Sequence, residues 1–257
     1  MGVAESISKG FAVTKKSLGL IFLLFVFSAV FNVLNVFLSP AVPAVPTDAP
    51  VPPSPAMMVV SVIFILLTIY FQAGSMAYLR DSVKTGTAAL PNFLAGGKYY
   101  VKLLLLGLIV AAVIGITVLL AALAAGLLGA ISPFIAVPVT ILIAAFGLYI
   151  VVMLFLSPYA AVVDEQAVRA SVKTSMKLVK KNILKLLGIT LMMIAIGFGV
   201  GMILGAILAG ISALLKAQMV TQVAFAVLSS LVNAVLGVLV TASFTHFYLS
   251  LPDRNNN

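Results

Sequence analysis

The stretch from residue 103 to 163 contains no charged side chain. A transmembrane helix needs about 20 apolar residues, so this stretch is too long for one crossing and must contain a turn. Ser132 and Pro133 provide it, because Ser can cap a helix and Pro is favoured in the first turn. Overall, 63% of the 257 residues are hydrophobic and 8% are charged, against about 25% charged in a typical soluble domain. The sequence therefore predicts an all-α, polytopic integral membrane protein.

Six apolar segments are predicted to cross the bilayer as one six-helix membrane domain, which leaves no room for a soluble catalytic domain. Their approximate bounds are 17–38, 57–79, 103–128, 133–158, 186–209 and 223–251. The segment 39–56 contains seven prolines and favours an extended outer loop, because proline lacks a backbone donor. The segment 164–185 is predicted to form a basic amphipathic helix.

Basic residues predict the orientation of the chain. With six crossings, 14 of the 15 Lys and Arg residues fall on the side of both termini, and only Lys216 falls on the other. Cytoplasmic loops are enriched in Lys and Arg, so both termini are expected in the cytoplasm. This also explains the net charge of +9, and nucleic-acid binding is not predicted.

The segment 164–185 combines a cationic stripe with an apolar stripe. At about 100° per residue, a four-residue spacing keeps side chains on one helix face. The cations expected to contact anionic lipid head groups are Arg169, Lys173, Lys177, Lys180, Lys181 and Lys185. The neighbouring apolar stripe, predicted to enter the acyl boundary, is Val168, Val172, Met176, Val179 and Ile183. Asp164 and Glu165 are expected at the positive N-terminus of this helix, with Glu165 four residues before Arg169.

Three blocks of the sequence follow the same plan. Each has a basic lead-in, an apolar span, a charge-poor outer turn and a returning span that ends near an aromatic residue and an acid. This pattern suggests a three-hairpin pseudo-repeat, as in transporter folds built from internal repeats. The alternative is that any six-span protein with cytoplasmic basic loops has the same rhythm.

Small and mildly polar residues stand out within the spans. Glycines recur every four residues on the fifth span and predict a helix-packing face: Gly197, Gly201 and Gly205. Asn32 and Asn35 lie three apart on the first span. The polar residues predicted deeper or near the cytoplasmic end are Gln72, Asn233 and His246. Hydrogen bonds between helices and, for Gln72 and Asn233, contact with a substrate are the two interpretations.

The sequence offers little for catalysis. It has no Cys and one His, and it shows no cluster of carboxylates, so neither a metal site nor a catalytic triad can be assembled. No charged residue is placed near mid-membrane, which argues against an ion-coupled pump. We therefore expect no enzyme activity and no cofactor.

The centre of the chain resembles the signature of a broad family of six-span membrane proteins. That family includes the membrane domain attached to some bacterial glycerophosphodiester phosphodiesterases and stand-alone relatives of unknown function. The matching residues are Pro158, Tyr159, Val162, Val163, Asp164, Ser175, Leu178, Lys180 and Asn182, with Ser171 in place of the usual Ala and Met176 in place of the usual Trp. The resemblance implies a fold more than an activity. We expect the chain to lie in the plasma membrane of a prokaryote. The phosphodiesterase chemistry belongs to a separate soluble domain and is not implied.

The first functional hypothesis is a non-enzymatic membrane protein that binds membrane lipids and handles or transports a lipid or amphiphile. One alternative is a structural or assembly subunit, with a second copy or another membrane protein as its partner. The other is a small-solute transporter or channel.

Overall fold

A computed structural model describes residues 2–38, 55–87, 89–214 and 218–252, and helices account for the regular structure of these residues. Most of the predicted proline-rich loop, 39–54, lies outside the described residues. In chain order the described helices are α1 (Val3–Lys16), α2 (Leu18–Leu38), α3 (Pro55–Thr85), α4 (Leu90–Ala95), a 3-10 turn (Gly96–Tyr99), α5 (Tyr100–Gly129), α6 (Pro133–Leu154), α7 (Ser157–Val163), α8 (Val168–Leu214) and α9 (Gln218–Leu249).

Six helical segments of the described residues are long and apolar enough to cross a membrane. They are Leu18–Leu38, Met57–Thr85, Leu90–Gly129, Pro133–Val163, Val168–Gly210 and Met219–Leu249. Only 11 to 28% of the most apolar window of each segment is buried inside the protein. So much exposed apolar surface needs a lipid environment. The predicted all-α fold and the six spans are confirmed.

The order of helices along the chain follows the predicted three blocks. A short helix precedes a pair of spans three times: α1 before α2 and α3, α4 before α5 and α6, and the basic part of α8 before its apolar part and α9. Contacts divide the chain into two compact units. Unit 1 comprises Met1–Gly96 and Leu187–Phe247, and unit 2 comprises Gly97–Leu186 and Tyr248–Asn257.

Aromatic side chains join α2 to α3 in unit 1. The ring of Phe27 stacks on that of Phe71 with centroids 4.0 Å apart, and Phe31 lies 4.5 Å from Phe64. Such pairs add to the stabilisation from burial alone. One end of the two helices continues into a buried cluster with α4 and α9: Leu20, Ile21, Tyr78, Leu79, Phe93, Ala234, Val238 and Ala242.

Two glycines permit close helix contacts in unit 1. A Cβ atom on Gly96 would lie 2.5 Å from the Cα atom of Gly74, so the backbone of α3 leaves room there only for hydrogen. A Cβ atom on Gly10 would lie 2.0 Å from the Oγ atom of Ser243, which brings α1 against α9. Directly before Gly10 in α1, Lys9 pairs with Glu5 at 3.0 Å, and its hydrogen bond lowers the pKa of the Glu5 carboxyl group.

The predicted glycine face of the fifth span does not pack in this way. A Cβ atom on Gly197, Gly201 or Gly205 would meet no atom within 4 Å in the part of the chain that the structure describes. Tight packing of this face against a helix of its own unit is therefore not observed. Packing against a second protein stays a prediction.

Helices α5 and α6 form a hairpin in unit 2. The turn occurs where it was predicted, because α5 ends at Gly129 and α6 begins at Pro133. Ser132 occupies the N-cap in an extended conformation, but its side chain makes no capping hydrogen bond. The closest glycine contact of this hairpin is Gly147 of α6 against the side chain of Thr117, which a Cβ atom would approach to 2.3 Å.

Candidate functional site

The basic helix of unit 2 begins four residues later than predicted. It starts at Val168 instead of residue 164 because Glu165 adopts a left-handed conformation with φ of 55°. A non-glycine residue in this region costs about 1 kcal/mol and is found where surrounding contacts fix it. The following turn is held by hydrogen bonds from the Gln166 backbone N–H to the Ala160 carbonyl (3.3 Å) and from Thr174 Oγ1 to Gln166 Oε1 (2.9 Å).

The two acids before this helix bind groups that are distant in sequence. Asp164 accepts a hydrogen bond of 2.5 Å from the buried Tyr248 hydroxyl group. Glu165 accepts hydrogen bonds from the Tyr99 hydroxyl group and, at 3.1 Å, from Lys98 Nζ. Lys102 Nζ donates to the Glu165 backbone carbonyl at 3.0 Å. The predicted position of the acids in the first turn of the helix, with Glu165 serving Arg169, is therefore wrong.

Ser175 fixes the buried face of the basic helix to a break between α6 and α7. Its hydroxyl group donates to the Met153 carbonyl at 2.7 Å and accepts from the Leu156 backbone N–H at 3.1 Å. The helix is interrupted there, just before Pro158 in the first turn of α7. Ser175 thus satisfies two backbone groups that the interrupted helix leaves near its end.

The predicted apolar stripe does not face outward as a unit. Val179 is fully buried within the protein, whereas Met176 is 39% exposed and Val168, Val172 and Ile183 are half-buried. The fully buried face consists instead of Ser171, Ser175, Leu178 and Val179. The helix therefore packs its apolar side on protein, because its small serines allow close approach, and insertion of the whole stripe into the acyl boundary is not observed.

The six predicted lipid-contacting cations are all exposed. They are Arg169, Lys173, Lys177, Lys180, Lys181 and Lys185, and we call the first five the cationic face. Lys185 is set apart because the helix is broken before it at Asn182, whose φ and ψ are −126° and 23°. The Asn182 side chain donates to the Leu178 carbonyl at 3.0 Å across this break. The predicted stripe of regular four-residue spacing therefore ends at Lys181.

A second candidate site is an open cavity in unit 1, here called the amide cavity. Its volume is about 830 Å³, and the residues lining it come from α2, α8 and α9: Asn32, Asn35, Val36, Leu208, Ala209, Thr221, Gln222, Phe225, Ala226, Ser229 and Asn233. Asn32 Nδ2 donates to Ser230 Oγ at 2.7 Å and thereby ties α2 to α9. The described lining residues include amides and hydroxyl groups and no charged side chain.

The structure separates the three predicted intramembrane polar residues. Asn233 lines the amide cavity, together with Asn32 and Asn35 of the first span. Gln72 is exposed on α3 and is not among the described lining residues, so the structure does not bring it to this cavity with Asn233. His246 is half-buried near the other end of α9, and its Nε2 atom has no hydrogen-bond partner among the described residues.

Sequence reasoning missed three described polar residues that line the cavity beside the predicted asparagines: Thr221, Gln222 and Ser229. Gln222, Ser229 and Asn233 follow one another at seven and four residues, a spacing that places all three on one face of α9. This polar stripe could have been recognised from the sequence. Within the described ranges, no group of three or more His, Asp or Glu side chains is placed to hold a metal ion.

Comparisons with known proteins identify a family but no activity. A family model described as a domain of unknown function (DUF7847) matches residues 1–251. No curated protein and no solved structure matches the chain. The resemblance of the central motif to the membrane domain of glycerophosphodiester phosphodiesterases receives no support from this match and stays a prediction.

Proposed function

The chain belongs to this family of unknown function, and we propose that it acts without catalysis, as a membrane protein that binds anionic lipids through the cationic face of α8. The observation that carries the proposal is the fixed exposure of five cations on one helix, opposite a face buried in protein. The plasma membrane of a prokaryote and a cytoplasmic position of this helix, as the distribution of basic residues predicts, belong to the same proposal.

Anchoring of the helix supports a role for its exposed face. Ser175 holds it to the break between α6 and α7, and the acids before it are engaged by Tyr248, Tyr99 and Lys98. A helix fixed in this way presents its cations in one direction, so its backbone needs no further ordering when a head group binds. Pre-organisation reduces the entropic cost of binding a head group.

Charge balance favours an anionic ligand. The described part of unit 2 contains eight Lys and Arg residues and two acids. Each cation near an anionic leaflet contributes about 1 kcal/mol of attraction, and the effect decreases within a Debye length. The cationic face should therefore prefer phosphatidylglycerol to phosphatidylcholine, and less so at high salt.

A single-tryptophan reporter tests the proposal. The chain has no Trp, and Met176 is exposed between the cations, so M176W places a unique fluorophore at the face. We expect brominated phosphatidylglycerol to quench it at a lower mole fraction than brominated phosphatidylcholine, because the cations enrich the anionic lipid. K173Q/K177Q/K180Q/K181Q in the same background should abolish the preference, as should about 1 M salt.

Charge-preserving changes provide the matched control. The corresponding Lys→Arg variant keeps the four charges and should keep the preference for the anionic lipid. Equal quenching by the two lipids in the M176W protein would refute anionic-lipid binding. If neither lipid quenched the tryptophan fluorescence, the cationic face would not contact the membrane.

A further inference from the structure

We propose that the amide cavity of unit 1 binds the uncharged, hydrogen-bonding head group of a membrane amphiphile. The cavity involves none of the residues of the cationic face, so this inference does not depend on the proposed function. It concerns α2, the outer half of the apolar part of α8, and α9.

Unused hydrogen-bonding capacity is the first argument. Asn32 is engaged by Ser230, and Ser229 donates to the Ala226 carbonyl at 3.2 Å. The side chains of Asn35, Gln222 and Asn233 make no hydrogen bond to another described residue. An amide without a partner is costly in hydrocarbon, where no bulk water can replace the lost bond. All three side chains are exposed, and Asn233 lies near the middle of its span, where a bound molecule that provides its partner would remove this cost.

The chemistry of the lining selects the head group. An amide offers both N–H donors and a carbonyl acceptor, which together match a hydroxyl group. None of the described lining residues carries a charge, so among them a phosphate or ammonium group would find no counter-charge. Hydroxyl-bearing, uncharged head groups therefore fit, whereas charged ones do not.

The shape of the cavity favours a ligand with an apolar chain. Gln222 and Asn233 lie about 17 Å apart along α9, at 1.5 Å per residue, so the polar stripe extends well into the apolar span. Val36, Leu208 and Phe225 provide apolar surface beside it, and Phe225 is 53% exposed, which leaves the side of the cavity open. A volume of about 830 Å³ lies in the usual range for ligand sites. A lipid could enter from the bilayer with its chain still in the hydrocarbon.

Photo-crosslinking tests this inference. The full chain is reconstituted in phosphatidylcholine vesicles with diacylglycerol that carries a diazirine in one acyl chain, or with phosphatidic acid that carries the same chains. We expect diacylglycerol to label peptides of α2 and α9 more strongly than phosphatidic acid does. N35L/N233L should reduce this labelling at least about fivefold, since each neutral hydrogen bond contributes a few-fold in affinity.

Two controls separate binding from folding. Q72L removes an amide from the same unit but outside the cavity, and its labelling should equal that of the unchanged protein. N35Q/N233Q retains both amides and should retain most of the labelling. Undiminished labelling of N35L/N233L, or labelling by phosphatidic acid as strong as that by diacylglycerol, would overturn the inference. The preference of the cationic face for phosphatidylglycerol would be unaffected by either result.

Discussion

Replacing Ser175 by Ala tests whether the basic helix is held by the break between α6 and α7. The change removes the acceptor for the Leu156 backbone N–H and the donor to the Met153 carbonyl. Leu156 is fully buried, so its N–H group would lose its partner away from water. A buried group left unsatisfied costs about 1–3 kcal/mol. We therefore expect S175A to lower the free energy of unfolding by about 2 kcal/mol, a factor of roughly 30 in the folding equilibrium.

Ser171 provides a matched control one turn earlier on the same helix. It is equally buried, but its hydroxyl group bonds only to the Ala167 carbonyl (3.0 Å), which already accepts from the Ser171 backbone N–H (2.9 Å). S171A should therefore change stability by less than about 0.5 kcal/mol. Unfolding in mixed micelles, followed by circular dichroism as the fraction of denaturing detergent rises, measures both variants. Equal stability of S175A and S171A would refute the proposed role of the break.

Two further predictions concern contacts within single units. Y248F removes the hydrogen bond to the Asp164 carboxylate and should cost about 1.5–3 kcal/mol in the same unfolding assay, whereas Y149F, at a 46% exposed tyrosine, should be neutral. An unfolding midpoint of Y248F equal to that of the unchanged protein would contradict a stabilising hydrogen bond between Tyr248 and Asp164. G96A should reduce the yield of folded protein in size-exclusion chromatography, because its Cβ atom would lie 2.5 Å from the backbone of α3. G107A, with nothing within 4 Å of the added atom, is its control, and equal yields of the two variants would show that α3 and the 3-10 turn beginning at Gly96 are not so closely packed.

The spans could be predicted from the sequence because they depend on local properties. A charge-free stretch that is too long for one crossing must contain a turn between two crossings, and Pro133 marks where the next helix begins. The turn at 130–132 follows from these two facts without knowledge of any long-range contact. The same reasoning placed the basic helix correctly along the chain, although it started the helix at residue 164, before the left-handed Glu165.

Contacts between distant segments could not be predicted in the same way. Asp164 and Tyr248 are 84 residues apart, and Glu165 and Tyr99 are 66 apart. A local interpretation assigned both acids to the helix that follows them, because helix N-termini commonly attract acids. Hydrophobicity likewise favoured the valine stripe as the face that enters the acyl boundary of the membrane. The structure buries the serine face instead, since only there can a hydroxyl group reach the backbone atoms exposed by the break at Pro158.

The polar residues of the spans show how far a one-dimensional pattern can locate a binding site. Depth alone suggested that both Gln72 and Asn233 contact a substrate, but whether a side chain reaches a cavity also depends on the rotation of its helix about its axis. The seven- and four-residue spacing of Gln222, Ser229 and Asn233 fixes their common face on α9. This spacing does not specify which helix faces the three side chains. In the structure that helix is α2, which contributes Asn32 and Asn35 to the cavity. An uncharged polar stripe on a membrane helix is therefore more informative as a site when the opposing helix carries amides at matching depth.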